Sequence, residues 1–327
     1  MRDNSLTRFH QLAVIVTLGV TFAAFSVAHA QEFQQFAGGH SYFSQSFPAG
    51  PQFSEPASQH IVEPLVVGCV QPERPSSEVL PNGLLYRSYI AAPHESRFAS
   101  IATYDVSKGS WRWDTTLGGR VGLFRQNQPA VSWLDAWQID LEGAALTRLN
   151  PELHMDVESV DYRFGLLWTG KQDRLAYKFG YFHLSSHVGD EYLLKNPTFE
   201  RINFVRESVI FGTSFQATPE RRYYGELAWA TSVKGGAKPW QFQLGAEHSE
   251  TAKIPTRGAP FSAVNLQFRQ ETNFASGVTV MTGWQWKGPE SGRSFRVGLQ
   301  YYNGPSNQYE FFRRYDNQFG AGMWFDY

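Results

Sequence analysis

The sequence predicts an all-β fold, a transmembrane antiparallel up-and-down β-barrel of about twelve strands, and three observations carry that prediction. The chain is polar on average, with a mean hydropathy of -0.37, yet 16% of its residues are aromatic, including 10 Trp, 26 Phe and 15 Tyr. From Arg97 onward, runs in which apolar and polar residues alternate are punctuated by Gly, Pro, Asn and Asp, the pattern of strands and turns. Beyond the N-terminal region no apolar run is long enough for a membrane-spanning helix. A polar chain crowded with aromatics fits strands that face lipid on one side and the lumen on the other, with aromatic girdles at both interfaces.

The chain begins as an exported protein does. Arg2 and Arg8 precede an apolar run from Leu12 to Val27, and Ala28-His29-Ala30 supplies a small-x-small cleavage site. Residues 1–30 therefore read as a signal peptide that is removed, and the destination as the bacterial outer membrane. Residues 31–60, rich in Gln, Ser, Phe, Gly and Pro without a period, read as a flexible leader. Residues 61–96 carry short apolar pieces, Leu65 to Val70 and Leu84 to Ala92, separated by Pro and Gly; they read as a periplasmic segment that plugs or braces the barrel. Residues 97–327 are the barrel. The lone Cys69 excludes an internal disulfide. A formal net charge of -1 with interspersed signs argues against nucleic acid as a partner.

Candidate strands fall at 97–104, 114–124, 134–148, 158–168, 174–185, 201–216, 221–232, 239–249, 260–270, 278–288, 293–302 and 318–326. The count is even, as closed barrels of this kind require. With both barrel ends in the periplasm, the two longest connections, 186–200 and 303–317, fall on the extracellular side. The periplasmic connections at 125–133 and 250–259 are longer than the rule for such turns prefers.

The densest cluster of chemically capable groups lies in Tyr181 to Arg206, YFHLSSHVGDEYLLKNPTFERINFVR. Alternation in 174–185 places Leu175, Tyr177, Phe179 and Tyr181 on the lipid-facing row, which His183 and Ser185 continue. In the following strand Val205, Val209, Phe211 and Phe215 set the lipid row, and Asn203 joins it. Polar groups on that face are costly unless they lie near the interface or pair with each other.

The His-x-Ser placement resembles outer-membrane phospholipase A, a twelve-stranded barrel with an Asn on the following strand, and the lipid A deacylases, which also use His-x-Ser. That resemblance implies Ser185 as nucleophile, His183 as base and Asn203 as the group that orients the imidazole. It departs from both patterns after Ser185, where Ser186-His187 stands in place of Asn-Gly, and around Asn203, which sits in Arg-Ile-Asn-Phe-Val-Arg. Two other readings stand beside it. His183, His187, Asp190 and Glu191 could bind a divalent metal, calcium being the cation such a lipase reading brings with it. Alternatively His187, Asp190, Glu191, Arg201 and Arg206 form a salt-bridged rim that anchors the loop or holds the headgroups of lipopolysaccharide and phospholipid.

Several stretches together, among them LGGRVGLFR, ESVDYRFG, RINFVRESVIFG, RRYYGELAWA, APFSAVNLQFRQE and the GMWFDY end, resemble a family of bacterial outer-membrane proteins defined only as a domain of unknown function. The likeness spans roughly 80–327 and implies the barrel without an activity. The aromatic C-terminus resembles the signal that barrel-assembly machinery reads, which makes that machinery an expected partner during biogenesis. Ionisable residues on the polar row, including Arg120, Asp140, Glu142, Arg163, Glu226, Glu247, Arg269, Glu271 and Arg296, suggest an internal salt-bridge network. A non-enzymatic structural barrel or a narrow channel is the competing reading.

Overall fold

In the computed structural model residues 75–128, 132–252 and 254–327 are described. The predicted signal peptide, the leader, Cys69 and the start of the 61–96 segment lie outside them.

A short strand β1 (Ser76–Val79) precedes twelve long ones: β2 (Phe98–Asp105), β3 (Ser110–Asn127), β4 (Ala136–Asn150), β5 (Asp156–Gln172), β6 (Leu175–Val188), β7 (Val205–Gln216), β8 (Arg221–Lys234), β9 (Trp240–Ser249), β10 (Ala259–Arg269), β11 (Ser276–Lys287), β12 (Ser294–Pro305) and β13 (Tyr315–Asp326). Each pairs antiparallel with its sequence neighbours, and β13 returns to β2 with Phe325 opposite Phe98. The result is a closed twelve-stranded up-and-down barrel. Closure removes the unpaired edges that an open sheet would expose to lipid.

The strands form because their side chains satisfy two environments at once. In β4 burial alternates without a break: Gln138, Asp140, Glu142 and Arg148 are enclosed while Trp137, Ile139, Leu141 and Leu149 face outward. Around the exterior, Leu117, Phe164, Leu166, Phe179, Phe211, Leu244, Trp284, Leu299, Phe319 and Met323 are all exposed. So continuous an apolar surface suits hydrocarbon rather than water.

β3 extends past the end of β2, and β1 covers the surplus by pairing Ser76 with Asn127 through Val79 with Phe124. The chain then turns into the lumen. Tyr86, Tyr89, Ile90, Ala91, Ala92, His94 and Arg97 are buried there before β2 begins. Tyr89 stacks on Tyr224 with ring centroids 3.8 Å apart, Ile90 N–H donates to Glu247 Oε1 at 2.7 Å, and Arg222 donates to the carbonyls of Arg87 and Ser88.

From the opposite end the β12–β13 connection, 306–314, also folds inward. Tyr309, Glu310 and Phe311 are buried, and Tyr309 N–H donates to Asp161. His94 Nε2 donates to the Asn307 carbonyl at 2.8 Å, so the two inserted segments meet. The predicted lumen charges pair around them: Arg120 with Asp140, Arg163 with Glu142, Arg222 with Glu247, and Glu226 with Lys178.

Of the strands, β7 begins furthest beyond its predicted start. β7 starts at Val205 rather than 201 because the Glu310 carboxylate takes the backbone N–H groups of Ile202, Asn203 and Phe204, which would otherwise have extended the β6–β7 ladder.

Candidate functional site

The site lies on the barrel exterior where β6 and β7 approach the 189–204 connection. That connection carries a one-turn helix, α1 (Asp190–Lys195), and packs tightly against β5. A Cβ at Gly189 would sit 1.8 Å from the Val157 carbonyl oxygen, so only glycine permits this approach.

His183 and Glu207 are direct register partners in the β6–β7 pair. Cross-strand partners on one face are within side-chain reach, and His183 Nδ1 lies 2.7 Å from Glu207 Oε1. A carboxylate can only accept, so Nδ1 carries the proton and Nε2 is the free nitrogen. Tyr181, two residues before His183 on the same row, donates its hydroxyl to Glu207 Oε2. The His183 and Glu207 side chains are 38% and 27% exposed, which places the pair on the outer wall rather than inside it.

Ser185 continues the row between its register partners Tyr162 on β5 and Val205 on β7. It is 9% exposed. Among the described residues no hydrogen bond joins it to His183.

Among the described residues no hydrogen bond joins Asn203 to His183. Asn203 is exposed and left-handed, with φ of 48°, and its N–H turns inward to Glu310. The register instead sets the Glu207 carboxylate against His183 Nδ1. Alternation could have revealed it: Glu207 is an acid on a row otherwise set by Val205, Val209 and Phe211, where an unpaired charge is expensive.

The predicted rim divides. Arg201 donates to Asp190 Oδ1 at 3.0 Å, both exposed, and Glu191 is exposed in the first turn of α1. His187 is exposed, its ring 6.0 Å from that of Tyr162. Arg206 instead points into the lumen, fully buried, and donates to Gln241 and the Pro239 carbonyl; it is out of reach of a headgroup because it stands on the even row of β7. His183, His187, Asp190 and Glu191 do not converge as metal ligands, and among the described residues no group of three His, Cys, Asp or Glu side chains does.

A family model described as "Protein of unknown function (DUF1207)" matches residues 23–327. No curated protein matches the sequence. Among solved structures, outer membrane phospholipase A from Escherichia coli is similar at 10% identity with a TM-score of 0.48, covering 72% of this chain and 94% of that one. The Salmonella typhi outer membrane phospholipase dimer with bound calcium gives 10% identity and 0.46, covering 73% and 93%. A KdgM porin gives 8% identity and 0.41, covering 70% and 98%.

Proposed function

The chain belongs to that DUF1207 family, and from the site itself we propose that it is an integral outer-membrane barrel that hydrolyses acyl esters of membrane lipid, with Ser185 as nucleophile, His183 as base and Glu207 as the orienting carboxylate. The observation that carries the reading is the 2.7 Å contact between His183 Nδ1 and Glu207 Oε1 on an apolar outer wall. A hydrogen-bonded acid and imidazole at that place serve no lumen packing, and their neighbours Tyr162, Phe164, Tyr181 and Phe211 are exposed aromatics against which an acyl chain can lie.

In the proposed reaction Ser185 Oγ attacks the ester carbonyl as His183 Nε2 removes its proton. The tetrahedral intermediate collapses, the acyl–oxygen bond breaks, and His183 returns the proton to the leaving alkoxide. Water, activated by the same imidazole, then releases the fatty acid. Glu207 keeps Nδ1 protonated and stabilises the imidazolium that forms transiently. The hydrogen bond between Ser185 and His183 closes when substrate fills the site, since such contacts are often loose in the free enzyme.

The substrates this reading brings are phospholipid and lipopolysaccharide of the leaflet beside the 189–204 connection, and assembly by the barrel machinery accompanies it. The filled lumen weighs against a narrow channel. Acyl release from phospholipid and from lipid A by the refolded barrel, with and without calcium, tests the proposal: release abolished by Ser185→Ala in a folded protein supports it, and release unaffected by that change sinks it.

A further inference from the structure

A second cluster, at the barrel mouth that bears the C-terminus, is independent of the lipid-facing site. A cavity of about 80 Å³ opens there beside the entering 81–97 segment. Its wall holds four cationic side chains, Arg87, Arg222, Lys287 and Arg296, against two carboxylate side chains, Glu247 and Asp326, with Tyr327 also on the wall. Glu247 pairs with Arg222, and Asp326 lies within ion-pair distance of both Arg296 and Arg97, although its Oδ1 makes no hydrogen bond.

Positive charge is left over. Lys287 Nζ donates to the Ser249 carbonyl at 3.0 Å and Arg87 to the Gln216 side chain, and among the described residues neither forms an ion pair. Two of the three Lys287 ammonium donors have no partner among those hydrogen bonds. Arg296 is 4% exposed, and its Nε is buried without a hydrogen-bond partner. A buried guanidinium N–H without an acceptor is costly, and like charges crowded in a partly desolvated mouth repel. Both costs fall if an anion enters.

We infer that this mouth binds a compact phosphoryl oxyanion, bridging Lys287, Arg87 and Arg296. The cations come from separate elements, the inserted segment, β11 and β12, so they surround the cavity instead of presenting one flat fork. A tetrahedral dianion accepts donors from several directions, whereas a planar carboxylate uses one bidentate fork. The acceptor could arrive as free phosphate, as a soluble phosphate ester or as a phospholipid headgroup, and all share this chemistry.

The test uses the refolded full-length barrel in detergent and titrates inorganic phosphate, glycerol 3-phosphate and dihexanoylphosphatidate against sodium chloride at matched ionic strength, read by ³¹P line broadening and by calorimetry. Saturable binding of at least one phosphoryl probe, absent with chloride and weakened at least tenfold by Lys287→Ala and by Arg87→Ala, supports the site. Preference among the three then identifies the source. Arg87 is exposed, so its variant keeps the fold even if Lys287→Ala does not. Binding indistinguishable from chloride, or binding that survives Arg87→Ala in a folded barrel, overturns the assignment. None of these readouts depends on acyl hydrolysis.

Discussion

Glu207 Oε1 accepts a hydrogen bond from His183 Nδ1 at 2.7 Å across directly paired positions of β6 and β7. That relationship fixes the tautomer of the imidazole, with the proton on Nδ1. A base held this way is worth roughly 10²–10⁴-fold in proton transfer. Glu207→Ala should therefore lower kcat by about a hundredfold or more with little change in KM, and Glu207→Gln by less. Asn203→Ala should leave kcat within about twofold of wild type if Glu207 alone supplies the orienting contact. Steady-state kinetics on a short-chain phospholipid separates these outcomes.

Inside the barrel, Lys178 and Glu226 form a pair at 2.5 Å with both side chains enclosed. Glu226 also accepts from Tyr89 and Gln243. Removing the ammonium leaves a buried carboxylate without its counter-charge, a change that costs about 3–5 kcal/mol. Lys178→Ala should lower the urea midpoint by a corresponding amount, and the double change Lys178→Met with Glu226→Leu should recover much of it. Urea titration of the barrel in micelles, followed by Trp fluorescence, measures both.

Glu310 gathers the N–H groups of Ile202, Asn203 and Phe204 at 2.6, 3.3 and 3.4 Å, tying the inserted 306–314 segment to the start of β7. Glu310→Ala strips those donors of their acceptor. Amide hydrogen exchange should then accelerate by at least tenfold at residues 202–204 while the middle of β7 stays protected. Uniform acceleration along β7 would mean that the carboxylate holds the whole strand instead.

His94 supplies a pH dependence. It is buried, its Nδ1 lacks a partner, and Nε2 donates to the Asn307 carbonyl. Burial holds the imidazole below its ordinary value, outweighing Asp161 at 3.6 Å. The unfolded chain then binds the proton more readily than the folded one, so the contribution of a neutral His94 is fully present above about pH 6.5 and is lost progressively as pH falls from there through the lower folded-state value. Unfolding midpoints between pH 8 and pH 5 should decline in wild type, and the slope should be shallower in His94→Gln. An identical slope in both proteins would remove His94 from the explanation.

Strand number and facing could be read from the chain because they rest on alternation, and alternation is strict where each strand divides lipid from a packed lumen, as in β4. The outward placement of His183 followed from the same rule. Alternation marks Glu207 as an acid on the outward row but does not by itself make it the partner of His183, since that depends on strand register, which pairs the two directly. Asn203 shares the nominal row but falls beyond the ladder. For the inserted segments the pattern reached less far: Leu84 to Ala92 reads as part of a segment that plugs or braces the barrel, but which of its side chains are enclosed, Tyr86, Tyr89 and Ile90 among them, depends on closure of the barrel.

The most direct measurement is covalent labelling of the folded barrel with a lipid-like fluorophosphonate, followed by peptide mass spectrometry. An activated serine on the outer wall predicts a single adduct on Ser185 that is strongly reduced in His183→Ala and Glu207→Ala and unchanged in Ser186→Ala. No adduct on Ser185, or labelling of Ser185 at the same rate after His183 is removed, would contradict a hydrolase built on this pair of strands.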